Sequence, residues 1–145
     1  MRILVSGSHG LVGTALIKQL EGDRHEIFRL VRHYPGSTAE IEWSPDRYSI
    51  ALARIEGFDA VVHLAGESIA EGRWTEEKKK RIRESRVKGT RLLADALANL
   101  TKSVLSILNC AGVHPNNKNS TPAASARFLR LTFKVKTRNR FRVEL

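Results

Sequence analysis

The feature that most constrains the fold of this chain is a glycine-rich run near its start, Gly7-Ser8-His9-Gly10-Leu11-Val12-Gly13. A short apolar run, Arg2–Ser6, comes directly before it and predicts a buried strand of the kind found in parallel sheets. Apolar residues then recur at helical spacing from Leu11 to Leu20, and Gly22 provides a stop for the predicted helix. Because Glu26–Val31 is a second β-rich run, the start of the chain predicts a β-α-β unit.

Each glycine of this run has a role in a loop that binds the pyrophosphate of a dinucleotide. Gly7 permits the tight turn after the strand, Gly10 lets the backbone approach the pyrophosphate, and Gly13 permits close packing of the helix on the strand. The free N–H groups of the helix would face the anion. We therefore predict that the cofactor is bound by Gly7, Ser8, His9, Gly10, Leu11, Val12 and Gly13. A glycine-rich turn without a ligand is the alternative.

Arg32, at the end of the second predicted strand, bears on which dinucleotide would bind. This position usually carries an acid that selects the ribose 2′-hydroxyl of NAD, or an arginine that accommodates the 2′-phosphate of NADP. Arg32 follows Gly13 by 19 residues, close to the expected separation of about 20, and no acid occurs from Ile27 until Glu40. The sequence therefore favours NADP over NAD, with a solvated charge at a strand end as the alternative.

Further apolar runs extend this pattern toward an open sheet. They predict a short strand at Ile41–Trp43, a short helix at Ile50–Ile55, a strand at Ala60–Ala65, a long helix capped by Thr75, and a strand at Ser103–Leu108. This order predicts an α/β fold, namely an incomplete Rossmann-type parallel sheet flanked by helices. We place this NAD(P)-binding domain at residues 1–112 and a divergent, irregular basic C-terminal extension at residues 113–145.

The net charge of +10 is distributed unevenly, which limits what it indicates about partners. Residues 1–101 contain 16 Lys and Arg against 14 Asp and Glu, whereas residues 102–145 contain nine against Glu144 alone. Glutamates lie within helical reach of Lys78–Arg81, so a solvated helix face is favoured there over a nucleic-acid patch. Nucleic acid is not the expected partner. A non-catalytic module that binds a nucleotide, or nucleic acid through the basic tail, is the alternative function.

Several classes of protein are disfavoured by what the sequence lacks. No apolar run approaches the roughly 20 residues of a membrane span, and the start is too short for a signal sequence, so we expect a soluble cytoplasmic protein. The single cysteine, Cys110, is interpreted as a small buried hydrophobe, and the five scattered histidines give no metal-ligand spacing. His63 lies within a predicted strand and is interpreted as a hydrogen-bonded core residue.

Longer motifs run in order along the first two thirds of the chain. They are Trp43-Ser44-Pro45, His63-Leu64-Ala65-Gly66-Glu67-Ser68-Ile69, Gly72-Arg73-Trp74, Ile82-Arg83-Glu84-Ser85-Arg86 and Gly89-Thr90. In these motifs the chain resembles an extended short-chain dehydrogenase/reductase of the sugar-epimerase-like, YfcH-like branch of the NAD-dependent epimerase/dehydratase family. The resemblance implies an NADP(H) site built from the glycine run, Arg32, the strand end Leu64-Ala65-Gly66, and Arg86. For Arg86, a surface ion pair with Glu84 or another neighbour is equally open.

The resemblance weakens where family members carry their catalytic residues. After the long helix, relatives have a Ser-rich strand end and a Gly-Tyr-Tyr-Gly-like segment, whereas this chain has Asn109–Asn116, in which Ala111 replaces a hydroxyl. Reductases of this class need a tyrosine of lowered pKa to exchange the substrate proton, and neither Tyr34 nor Tyr48 is in position. We therefore assign no catalytic residue and expect a chain that looks truncated after its cofactor-binding half and is inactive alone. In full-length relatives, the resemblance implies a small carbonyl or sugar-nucleotide substrate.

Overall fold

A computed structural model of the chain describes residues 1–70, 72–102, 104 and 106–109. Its strands are β1 (Arg2–Ser6), β2 (Glu26–Val31), β3 (Glu40–Ser44), β4 (Ser49–Ile50), β5 (Ala60–His63) and β6 (Ser106–Asn109). Its α-helices are α1 (Leu11–Gly22) and α2 (Glu76–Ala98), and a 3-10 turn spans Leu52–Arg54. The β-α-β unit predicted from the glycine run is therefore present.

The described strands form one sheet in the order β4-β3-β2-β1-β5-β6. All of them run parallel except β4, which pairs antiparallel with β3 at one edge. Because β1 lies between β2 and β5, the chain builds the sheet first toward one side of β1 and later toward the other. The crevice at the carboxyl ends of the strands at such a switch point is where open α/β sheets bind their ligands. The glycine run follows β1 directly and lies at this edge.

Each face of the sheet packs against a helix because side chains alternate along every strand. The face covered by α2 buries a cluster that includes Leu4, Leu30, Ile41, Trp43, Leu92, Leu93 and Ala96. The face covered by α1 buries Ile3, Val5, Ile17, Ile27 and Val62. Leu4 and Val5 point to opposite faces and both are 0% exposed, so β1 is a central strand that holds the glycine run in place.

Helix α2 begins where the sequence predicts. The Thr75 side chain accepts a hydrogen bond from the Lys78 backbone N–H at 3.2 Å, and Glu76 and Glu77 occupy the first turn, near the positive end of the helix dipole. The apolar residues of its second half, among them Leu92, pack on the sheet. The second half therefore anchors the helix, while its first half extends toward the crevice.

Helix α1 ends at Gly22, as predicted, and the chain then turns through Arg24, whose φ is 61°. The short helix predicted at residues 50–55 is present only in part, because a 3-10 helix spans Leu52–Arg54 and Ile50 belongs to strand β4. Tyr48 has φ 52°, which closes a hairpin that brings Ile50 opposite Trp43. The sheet is consequently mixed, with an antiparallel edge strand that the sequence did not predict.

Two further predicted strands have different limits in the structure. β5 ends at His63, before Leu64 and Ala65, and β6, at Ser106–Asn109, extends one residue beyond the predicted end at Leu108. Cys110, Ala111 and the extension at residues 113–145 lie outside the described residues, so the boundary predicted after residue 112 stays a prediction. In the part of the chain that is described, no helix combines the length and apolar character needed to cross a membrane.

Candidate functional site

The glycine run makes a turn that only a residue without a side chain can make. Gly7 has φ 72°, in the left-handed region, and a Cβ built on it would lie 2.7 Å from both the Leu64 carbonyl carbon and the Ala65 nitrogen. The loop after β1 and the segment after β5 are thus in direct backbone contact. Two of the predicted cofactor-binding segments are brought together by this contact.

Gly13 brings helix α1 equally close to the same turn. A Cβ on Gly13 would lie 2.2 Å from the Gly7 carbonyl oxygen, a distance at which no side-chain carbon fits. A Cβ on Gly10 would meet nothing nearer than that same oxygen, at 3.4 Å. Gly7 and Gly13 therefore have the turn and packing roles predicted for them, while Gly10 borders open space.

The N-terminus of α1 is open to an anion. Gly10 is the residue that caps the helix and has no side chain with which to accept a hydrogen bond from the first turn. The side chains of Leu11 and Val12 are 92% and 51% exposed, so they do not cover the helix end. Ser8 is buried, and its hydroxyl is 3.2 Å from His9 Nδ1. The first-turn N–H groups and the dipole of α1 provide a place for a phosphate.

The carboxyl end of β5 is fixed by a hydrogen bond between two buried side chains. The Ser6 hydroxyl is 2.6 Å from His63 Nδ1, and the Leu64 N–H donates to the Ser6 carbonyl oxygen at 3.1 Å. The His63 ring packs edge-on against Trp43. Burial, together with the positive charge of Arg86, lowers the pKa of His63 to about 4. The prediction that His63 is a core histidine is confirmed.

Arg86 of α2 points toward the segment that follows β5. A Cβ built on Gly66 would lie 3.3 Å from the Arg86 guanidinium carbon. One guanidinium nitrogen donates to the carbonyl oxygens of Ile82, at 3.1 Å, and Glu67, at 3.5 Å. Glu84 is 3.8 Å from Lys80. Of the two interpretations left open for Arg86, the inward position beside Gly66 is the one the structure shows.

Lys78 and Ser85 were not recognised as part of this region from the sequence. The prediction of a solvated face at residues 78–81 is wrong for Lys78, whose side chain is 10% exposed and whose Nζ is 3.5 Å from a Glu67 carboxylate oxygen. The Glu67 N–H donates to the Ser85 hydroxyl at 2.9 Å. The loop after β5 is therefore attached to α2 at several points. Helical spacing alone could have shown that Lys78 lies about two turns before Ser85 and Arg86 on α2.

Arg32 follows the last residue of β2 and is exposed at the same edge of the sheet. Beside it, His33 Nε2 is 3.8 Å from a carboxylate oxygen of Glu40. β3 pairs with β2, and this pairing brings Glu40 back toward the end of β2. Glu40, which follows the end of β2 in the sequence, is thus close to the end of β2 in space. Glu40 therefore weakens the preference for NADP that the sequence implied.

A cleft of about 420 Å³ opens between α1 and the two strands β2 and β3. At the crevice it is lined by Ser8 and His9, and along α1 and the sheet by Thr14, Ile17, Lys18, Glu21, Arg29 and Glu40. Arg29 and Glu21 form an ion pair at 3.0 Å across it. The cleft is polar and adjoins the glycine run, so a charged group attached to a ligand at the crevice could enter it.

The two tyrosines of the chain lie away from this edge or project into solvent. Tyr34 is 88% exposed in the loop after β2. Tyr48 belongs to the β3–β4 hairpin and donates a hydrogen bond to the Asp95 carboxylate, which raises the pKa of the phenol. Tyr48 therefore lacks the environment of a catalytic proton donor, which needs a lowered pKa.

Comparison with known proteins decides the family. A family profile described as the NAD dependent epimerase/dehydratase family matches residues 3–137, which is most of the chain. The chain belongs to the NAD-dependent epimerase/dehydratase family. The resemblance found in the sequence motifs is confirmed.

Three relatives in this epimerase/dehydratase family show how far the similarity extends. An epimerase family protein of Mycobacterium bovis is 33% identical over 116 residues, which are 80% of this chain and 38% of the relative. The human epimerase family protein SDR39U1, solved with NADPH, matches with a TM-score of 0.63 and 34% identity. This match covers 75% of the present chain and 36% of the human protein chain. A nucleoside-diphosphate sugar epimerase from Corynebacterium glutamicum matches with a TM-score of 0.60 and 34% identity. This match covers 75% of the present chain and 22% of the epimerase. The chain thus spans less than two fifths of each relative.

Proposed function

We propose that this chain binds NADP(H) at the crevice between the glycine run and the end of β5, in preference to NAD(H). The observation that carries the proposal is the backbone cradle of Gly7, Gly13 and Leu64, into which no Cβ fits, next to the uncapped N-terminus of α1. Such a cradle lets a pyrophosphate approach the backbone and receive hydrogen bonds from N–H groups. The membership in a family described as NAD-dependent independently supports the binding of a nicotinamide dinucleotide, without bearing on the choice between NADP and NAD.

The backbone groups around the crevice and Arg86 have different tasks in this proposal. The N–H groups at Leu11, Val12 and Gly13 hold the pyrophosphate, while the backbone at Leu64 and Ala65 borders the adenosine side. Arg86 keeps the loop after β5 in place through the Glu67 carbonyl and offers its guanidinium to cofactor oxygens. Bound NADPH supplies a hydride for reduction, and the contribution of this chain is to bind and orient it.

The preference for NADP(H) depends on Arg32. Its guanidinium stays charged at every working pH and can pair with the adenosine 2′-phosphate through two parallel hydrogen bonds. The human relative SDR39U1 was solved with NADPH, which supports the same choice for this chain. Glu40 opposes it, because a carboxylate near the end of β2 favours a ribose hydroxyl over a phosphate. The balance between Arg32 and Glu40 therefore decides the affinity ratio.

The 145 residues bind the cofactor without completing a reaction in this proposal. Tyr34 and Tyr48, the two tyrosines of the chain, lack the position and the environment of a proton donor. For a full-length protein of this family, we propose a small carbonyl compound or a sugar nucleotide as the substrate class. The name of the Corynebacterium glutamicum relative, a nucleoside-diphosphate sugar epimerase, supports the second of these.

The experiment is a fluorescence titration of the purified chain with NADPH and with NADH, monitoring Trp43 and Trp74. We expect saturable binding of both, with the higher affinity for NADPH. Arg32→Ala should weaken NADPH binding by about 1.5–3 kcal/mol and leave NADH binding unchanged. Arg24→Ala, an exposed arginine in the turn between α1 and β2 at the opposite edge of the sheet, is the matched control. An affinity ratio that Arg32→Ala does not change would overturn the NADP preference.

A further inference from the structure

Two histidines from different elements face each other beside Arg32. His9 belongs to the glycine run and His33 to the loop after β2, and their ring centroids are 6.1 Å apart with the planes tilted by 60°. Both side chains are exposed. His9 lies in the predicted cofactor loop as part of the glycine run, whereas the sequence predicts no role for His33. The pairing of the two rings across the end of β2 is visible only in the fold.

The charged groups around this pair come from every element packed near it. Glu40 of β3 approaches His33 at 3.8 Å and also accepts the Gly36 N–H at 2.7 Å. Deeper in the cleft, Arg29 of β2 is paired with Glu21 of α1. Lys18 of α1 lines the same cleft, and Arg32 adjoins His33 in the chain. Near the two imidazoles the charges thus include one carboxylate, Glu40, and one guanidinium, Arg32.

We infer that His9 and His33 together bind the adenosine 2′-phosphate and make the preference for NADP over NAD dependent on pH. The inference rests on the proposed function, which places the adenosine ribose at the end of β2. Histidine ordinarily changes its charge between about pH 5 and 8. When protonated, each ring donates from both nitrogens and attracts the phosphate, whereas neutral rings leave Glu40 to repel it.

The two histidines and Arg32 make separable contributions to the preference for NADP over NAD. Arg32 carries its charge at all pH values used, so its part of the preference stays constant with pH. The contribution of His9 and His33 grows as pH falls. A pH-dependent affinity ratio is therefore a readout that a merely structural role for these histidines would not produce.

The experiment is isothermal titration calorimetry of the full chain with NADP⁺ and with NAD⁺ at about pH 6 and about pH 8. The ratio of the two affinities should rise about fivefold at the lower pH, as expected for two exposed charge contacts. The second pKa of the phosphate is about 6, so protonation of the ligand works against this rise. The double variant His9→Gln/His33→Gln reveals the effect of ligand protonation alone. Its ratio of NADP⁺ affinity to NAD⁺ affinity should stay flat or fall at the lower pH.

His25→Gln is the matched control, since His25 lies in the turn between α1 and β2, at the opposite edge of the sheet. It should keep the pH dependence of the original chain. A ratio that does not rise at the lower pH, or a double variant that retains the rise, would overturn the inference and leave the proposed function standing. If neither dinucleotide binds at either pH, both the inference and the proposed function are overturned.

Discussion

Gly13 packs against Gly7 so closely that a Cβ on Gly13 would lie 2.2 Å from the Gly7 carbonyl oxygen. Alanine is normally about 1 kcal/mol better than glycine inside a helix. At this position we expect the opposite, because Gly13→Ala forces α1 away from the loop and overpacking of this kind costs about 1–3 kcal/mol. Urea denaturation of the chain and the variant measures the difference.

Gly22→Ala is the control for Gly13→Ala. Gly22 is also in α1, and a Cβ there would meet nothing within 4 Å. This variant should be as stable as the original chain or slightly more stable. If Gly13→Ala and Gly22→Ala had the same stability, the close approach of Gly13 to Gly7 would not exist in solution.

Gly10→Val should remove cofactor binding without unfolding the chain. The backbone at Gly10 is extended, with φ −75° and ψ 166°, a conformation that β-branched residues adopt readily, and its Cβ has room. The added side chain would occupy the space through which the backbone approaches the pyrophosphate. Circular dichroism checks the fold and an NADPH titration checks binding. Normal binding by the folded variant would show that the glycine run is not the site.

The buried His63 should make the chain less stable as pH falls. Its pKa is about 4 in the fold and about 6.5 in the unfolded chain, so between these values the unfolded chain takes up a proton that the fold does not. This stabilising contribution is complete above about pH 6.5, falls by roughly 3 kcal/mol toward pH 4, and then levels off.

Unfolding curves of the original chain and of His63→Asn, collected across that pH range, isolate the effect from other titrating groups. The variant should lose the part of the pH dependence that belongs to His63. A chain and variant with parallel stability profiles, or an NMR titration of the His63 ring with a midpoint near 6.5, would contradict the burial of this ring against Trp43 and Gly89.

No turnover is expected from these 145 residues alone. Proton transfer by a positioned acid typically contributes about 10²–10⁴-fold in rate, and the environment of Tyr48 raises its pKa instead of lowering it. NADPH oxidation should be assayed against a panel of carbonyl compounds and sugar nucleotides. Saturable turnover that disappears in Arg32→Ala would refute this prediction, because it would show that the chain supplies its own proton donor.

The parts of the fold that could be predicted are those specified locally. The strand, glycine run and helix from Arg2 to Gly22 follow from residues adjacent in sequence, and the Thr75 cap follows from its own side chain and the first turn of α2. His63 could be predicted as a core residue because an ionisable group inside an apolar strand is normally hydrogen-bonded and neutral. Its partner Ser6 is 57 residues away and depends on the pairing of β1 with β5.

The parts that could not be predicted depend on contacts between distant segments. Lys78 is buried because the loop after β5 folds onto α2 and brings Glu67 to it. Glu40 reaches the end of β2 because β3 pairs beside it, a register that no local pattern specifies. The left-handed backbone at Tyr48 closes a hairpin that places Ile50 in strand β4, whereas apolar spacing predicted that a helix starts there. Sequence patterns thus predicted the glycine run and its β-α-β unit better than they predicted the side chains around it.

The most direct test of dinucleotide binding at the glycine run is an NMR titration of the ¹⁵N-labelled chain with NADP⁺. We expect saturable shifts of the Leu11, Val12 and Gly13 amides at the start of α1, and of the Ala65 amide beside Gly7. The amides of the hairpin strand Ser49–Ile50, at the far edge of the sheet, should not move. Saturation that leaves the α1 amides unchanged, or no saturable shift at all, would contradict the assignment of this crevice as the cofactor site.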